Sequence, residues 1–164
     1  MIIERIEELL PGALLERQEF RGDLTLVTDR SRLLELVEVV FAEGFQMLLD
    51  VTAVDFLDRD PRFDVVYHLL NLTSQERLRL KVRVGEGEAV PTLLKRFKSA
   101  DWSEREVHDM FGIPFEGRGE MKRLLMWEDF PGHPLRKDFP LDGGDLFCDD
   151  TGASYAGDAK SLQA

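Results

Sequence analysis

The sequence has one cysteine, Cys148, and only three histidines, His68, His108 and His133. A lone thiol closes no internal disulfide, and side chains so few and scattered make no zinc or iron–sulfur ligand set. Cys148 sits among Asp145, Asp149 and Asp150, whose negative charge raises a thiol pKa and works against a nucleophilic role. Long apolar runs are missing as well, none approaching the roughly 18 residues of a membrane-spanning helix. The opening MIIERIEELL lacks the basic region and cleavage site of a secretory signal, so an intracellular chain is expected. Positive charge is short. Against 32 Asp and Glu stand 21 Lys and Arg, and a net charge of −11 repels polynucleotides and anionic lipid. The stretch GEGEAV lacks the Lys and Ser or Thr of a phosphate loop, no GxGxxG follows a strand, and GxSxG is absent. The sequence therefore offers no self-contained active site, and any redox work would use a cofactor held by another chain.

What remains is a soluble globular composition, 43% hydrophobic and 32% charged, in a chain of 164 residues, the size of one domain. Ile2, Ile3, Ile6, Leu9 and Leu10 are spaced for one helical face, stopped by Pro11-Gly12. ALLERQEF and DLTLVT read as strands joined in a hairpin at Arg21-Gly22-Asp23. Asp29 is a good N-cap for the helical run RSRLLELVEVVFAE, and Gly44 is its stop. Three strand candidates follow: Phe45 to Leu57, RFDVVYHLLNL and ERLRLKVRV, the last alternating apolar with charged and so wet on one face. This order predicts an α+β two-layer sandwich, α-β-β-α-β-β-β, with helices on one face of a mixed, mostly antiparallel sheet. Short helices and an extended C-terminal arm are expected to follow, beginning with a helix from about Val90 through Phe97. Residues 1–127 would form the core domain, 128–141 a Pro-rich arm, and 142–164 a mobile acidic tail.

Two stretches could carry chemistry. In DWSEREVHDMFGIPF, Ser103 and Glu106 have capping-box spacing, with Trp102 and Val107 as a hydrophobic staple. That reading gives a two-turn helix with Val107, Met110 and Phe111 inward, ended by Gly112 and Pro114, and with Glu104, Arg105, His108 and Asp109 exposed. Glu104 and His108, four apart, could act as metal or acid–base groups, but no third ligand accompanies them. His68 lies in an apolar strand and reads as a packed or edge histidine.

The second stretch is EDFPGHPLRKDFPL, Glu128 to Leu141. Pro131, Pro134 and Pro140 exclude a helix interior or central strand and stiffen the chain in extended form. One reading is a strap folded over the chain's own sheet. The other places Phe130, Leu135, Phe139 and Leu141 in grooves of another protein, with Arg136 and Lys137 bonded to its carboxylates or carbonyls.

Together EREVHDMFGIPF and EDFPGHPLRKDFPL resemble the signature of the C subunit of NADH:quinone oxidoreductase, the 30 kDa subunit of respiratory complex I. The dense part of the resemblance covers Trp102 to Leu141. It departs at Gly117-Arg118-Gly119, where the family usually has Gly-His-Pro, keeping a cation and losing a rigid proline. The resemblance implies a non-catalytic scaffold that itself binds no flavin or iron–sulfur cluster. It would dock against the quinone-site and terminal-cluster subunits, which hold those cofactors and quinone, on the cytoplasmic side of the membrane. Its partner-docking residues would be Glu104, Arg105, Asp109, Phe130, His133, Pro134, Leu135, Arg136, Lys137, Asp138 and Phe139. Two alternatives stand beside it: the equivalent subunit of a membrane-bound hydrogenase or ferredoxin-fed complex, and an independent metal-dependent enzyme using Glu104, His108, Asp109 and His133.

Overall fold

The computed structural model describes residues 2–140. Leu141, the tail 142–164 and Cys148 lie outside the described residues.

Helix α1 (Ile2–Leu9) buries Ile3 and Ile6 and ends before Gly12 at φ +75°. Strands β1 (Leu14–Phe20) and β2 (Asp23–Thr28) form the expected hairpin. Its two turn residues, Arg21 and Gly22, both have positive φ (53° and 87°), the requirement of a tight turn that matches strand twist. The Asp29 carboxylate accepts a 2.8 Å bond from the Ser31 amide, capping a short 3-10 turn that runs into α2 (Leu33–Ala42). Strands β3 (Met47–Asp55), β4 (Phe63–Leu70) and β5 (Arg77–Val84) form an antiparallel meander. The sheet order is β1-β2-β5-β4-β3, and β2–β5 is its parallel pair.

Alternation decides which face is covered. Phe63, Val65, Tyr67 and Leu69 on β4 and Leu78, Leu80, Val82 and Val84 on β5 join the helices in one core. Each large apolar side chain hidden this way contributes about 1.5–3 kcal/mol. The opposite face carries Arg79, Lys81 and Arg83, as the charged positions of ERLRLKVRV indicate. These cations lie across the sheet towards Thr25, Asp64 and Glu16, with Arg83 and Glu16 2.6 Å apart.

The α+β sandwich and its mixed sheet match the sequence expectation; the segment after β5 differs. Residues 90–97 are not a helix. Val90–Pro91 is a short strand, β6, paired in parallel with β7 (Phe115–Glu116), and between them α3 spans Ala100–Phe111. Pro91 and the buried Val90 and Leu93 favour extension into the core over an amphipathic turn. The expected short helices are thus one helix of twelve residues among the described residues.

Candidate partner-docking site

Helix α3 begins three residues before the capping box. Ser103 lies inside its first turn, and Ser99, at the N-cap position, makes no side-chain cap. The cap is unnecessary because main-chain turns precede the helix: the amides of Ala100 and Asp101 donate to Phe97 and Lys98 carbonyls at 3.2 and 3.3 Å. Ser99 instead donates its hydroxyl to the Leu48 carbonyl on β3 at 3.1 Å. The helix stops at Gly112, φ +73°. A Cβ there would stand 2.5 Å from the His133 ring, so glycine is required twice over.

Glu104 and Asp109, expected on the exposed side, are buried, 0% and 1% accessible. Glu104 accepts bonds from the Leu93 amide (2.7 Å), the Thr92 hydroxyl (2.6 Å) and Arg118 (2.9 Å). Arg118, the residue that departs from the family pattern, is itself buried and reaches Asp101 as well. Asp109 accepts 2.9, 2.8 and 2.9 Å bonds from the consecutive amides of Leu124, Leu125 and Met126, and a 2.8 Å bond from Arg123. Three successive amides form an anion nest. Burial alone would raise the Asp109 pKa, but the Met126 and Leu125 amides, the Arg123 guanidinium and the Leu124 amide outweigh it and hold it below the usual carboxylate range. Both carboxylates face inward because α3 has a second buried side, covered by residues 117–126.

The arm is not extended as expected: the amides of Phe130, Arg136 and Phe139 donate to the carbonyls three residues back, at 3.1, 3.2 and 3.1 Å, and these turns fold it onto the chain's own core. Arg123 donates to the carbonyls of Phe130 (2.8 Å) and Gly132 (3.1 Å). His133 donates from Nδ1 to the Asp109 carbonyl at 2.9 Å, the Leu135 amide reaches the Met110 carbonyl at 3.1 Å, and Arg136 Nε reaches the Phe111 carbonyl at 2.5 Å. These three bonds take carbonyls at the end of α3 that its own ladder leaves free. Next comes a joint that sequence reasoning missed. Arg62, at the start of β4, donates from Nε and Nη2 to both Asp55 oxygens at 2.8 Å and from Nη1 and Nη2 to Asp138 at 3.0 and 2.8 Å. The Lys137 amide adds a 2.8 Å bond to Asp55. Asp55 bonding lifts the Arg62 pKa well above its usual value, with Asp138 next in effect, and the same bonds lower both carboxylates. No spacing in the sequence links residue 62 to residue 138.

The expected docking residues therefore divide. Phe130 is buried, meeting Trp127 edge-on (4.7 Å) and stacking with Phe139 (5.8 Å). Arg136 bonds Phe111 and, at 2.7 Å, Glu86. Asp138 engages Arg62 while remaining half exposed. Leu135 and the Lys137 side chain face outward, with Pro134, Phe139 and Arg105 half-buried. The four groups of the metal-enzyme reading do not converge: the Glu104 and Asp109 oxygens are taken separately, and His108 Nδ1 lies 3.1 Å from the Ile113 carbonyl. Among the described residues no three His, Cys, Asp or Glu side chains come together as a metal site.

Fold and site define an α+β domain that carries its own C-terminal strap, bonded to the end of α3 and to the β3–β4 turn. Residues 26–145 match the family model described as "Respiratory-chain NADH dehydrogenase, 30 Kd subunit". The chain belongs to that family. It is 41% identical over 145 residues to the NADH-quinone oxidoreductase C subunit of Citrifermentans bemidjiense, covering 87% of this chain and 90% of the relative. It is 46% identical over 136 residues to the corresponding protein of Sinorhizobium medicae, covering 80% and 68%. Among solved structures it resembles a trypsin-resistant fragment (1–134) of Nqo5, with TM-score 0.65, 34% identity and coverage of 73% of this chain and 99% of that one. It also resembles a chain of the membrane-bound sulfane sulfur reductase, an archaeal respiratory membrane complex, with TM-score 0.74, 28% identity and coverage of 85% and 84%.

Proposed function

We propose that this chain is a scaffold subunit in the hydrophilic arm of a proton-translocating NADH:quinone oxidoreductase, docked against the subunits that form the quinone site and hold the terminal cluster. It contributes no catalytic group. Flavin, iron–sulfur clusters and quinone belong to its partners. Its place is peripheral, on the cytoplasmic side of the membrane, reached through the complex; no helix among the described residues is long and apolar enough to cross a membrane. The observation that carries this reading is the use of the signature residues. Glu104 and Asp109 are bonded to Arg118 and to the amides of 124–126, while His133 and Arg136 bond the arm to the end of α3 and leave Leu135 and Lys137 exposed. A preformed surface of this kind loses little entropy when it docks.

A tagged chain should copurify from membranes with flavin- and cluster-bearing subunits. The chain purified alone should show no NADH or quinone turnover and no stoichiometric metal. One equivalent of bound zinc or iron, or turnover by the isolated chain, would overturn the proposal. The likeness to the sulfane sulfur reductase chain supports a second reading, the equivalent subunit of a related membrane complex. The donor oxidised by the copurified complex separates the two.

A further inference from the structure

Both tryptophans of the chain are on its surface, Trp102 62% and Trp127 54% exposed, with Leu125 57% exposed. Side chains of this size are mostly hidden in a folded monomer, and tryptophan is among the residues enriched at the hot spots of protein interfaces. A chain of contacts links the two. Arg105 covers the Trp102 ring at 5.2 Å and donates to the Lys122 and Arg123 carbonyls, each at 3.2 Å. Arg123 lies 5.8 Å from the Phe130 ring, which meets Trp127. Beside Arg123 opens a groove of about 430 Å³, lined by charged side chains of both signs, Glu120, Lys122, Arg123 and Glu128, together with Met121 and Met126. Met121 and Met126, partly buried against the core, supply the smaller, apolar part of its lining. Acids are in excess around it: Glu106, Glu120, Glu128 and Asp129 are exposed with no ion-pair partner among the described residues, against the exposed Lys122, while Arg123 is committed to Asp109.

We infer that this surface receives an apolar segment of a neighbouring subunit, flanked by lysine or arginine side chains that pair with these carboxylates. The inference rests on the scaffold reading above and gives it a surface. The excess of unpaired acids argues against an anionic lipid surface as the occupant, and the exposed Trp102, Leu125 and Trp127 against a purely charged one.

Hydroxyl-radical footprinting of the free chain and of the assembled complex, read by mass spectrometry, tests it. Oxidation of Trp102, Trp127, Met121 and Met126 should fall about fivefold or more on assembly, as in the desolvated centre of an interface. Tryptophans oxidised equally fast in both states would overturn the inference and leave the scaffold reading standing. A chain that copurifies with no partner would sink both. Protection in the free chain that grows with its concentration would make a second copy the occupant, again overturning the inference. Glu120→Lys with Glu128→Lys alters two exposed side chains without internal partners, and should slow association about tenfold at low salt. An unchanged association rate would overturn the basic-partner assignment.

Discussion

At the scale of single residues, burial reverses what spacing suggests. By spacing alone, Glu104 tolerates alanine and Ser103 is the cap whose loss costs stability. The structure exchanges their importance. Glu104→Ala removes one of the two carboxylates paired with buried Arg118 and leaves the Leu93 amide and the Thr92 hydroxyl without their acceptor, a loss of about 3 kcal/mol. Ser103→Ala should stay within about 0.5 kcal/mol. Urea midpoints of the two variants decide it, and equal effects would show the Glu104 bonds to be energetically idle. Tyr67 gives a change of opposite sign. Its hydroxyl is fully buried, has no bonding partner among the described residues, and has a pKa pushed up by burial and then by Glu104. Tyr67→Phe should therefore leave stability unchanged or raise it by up to about 1 kcal/mol. A loss of that size in the same denaturation experiment would mean the hydroxyl holds a bond.

At the scale of elements, the arm is an acid-sensitive attachment. The His133 pKa is lowered by burial first, despite its bond to the Asp109 carbonyl, and further by Arg136, Arg123 and His108 around it. A histidine whose folded pKa lies below its usual 6.5 contributes full stability above that value and loses it as pH falls beneath it. The lowered carboxylates of Asp55 and Asp138, bonded first of all to Arg62, act in the same direction at still lower pH. Acidification should thus release residues 130–139 before the sheet unfolds. Amide exchange measured from pH 7 downward should show the amides of Leu135 and Lys137 losing protection earlier than those of β4. Simultaneous loss would mean that arm and core open as one unit. Gly112→Ala should free the arm at neutral pH in the same exchange measurement, because the new Cβ meets His133 and Arg136 at 2.5 and 2.6 Å.

At the scale of the whole molecule, the arm is part of the fold as well as of the proposed interface. If the arm met only partners, truncation after Trp127 would leave cooperative unfolding nearly intact. In the structure that cut removes Asp138 from Arg62, the Lys137 amide from Asp55 and Phe130 from its stack. The truncated chain should melt several degrees lower, since 1 kcal/mol shifts a domain of this size by roughly 2–4 °C. It should also fail to assemble. A melt unchanged by the truncation would return the arm to the status of a strap ordered only by partners. Chelator should leave the melt of the full chain where it is, and a fall would reveal a structural metal.

The sequence by itself determined the order of elements. Period-two alternation in ERLRLKVRV, positive-φ turn chemistry at Arg21-Gly22 and the Gly44 and Gly112 stops depend on neighbours a few residues apart, and such local preferences survived folding. Its prolines also kept helix and strand out of the arm, because proline fixes φ whatever surrounds it, but the extension expected there gave way to successive turns. The two signature stretches carried the family. Only the tertiary structure decided which side of α3 is inside. Periodicity assigns charged residues to solvent, yet residues 117–126 return along the helix and supply Arg118, Arg123 and three amides to Glu104 and Asp109. Pairs separated by 14 residues, or by 76 as in Arg62 and Asp138, leave no trace in spacing. A buried charge is stable only where its partner arrives, and that is a property of the chain path rather than of the local sequence.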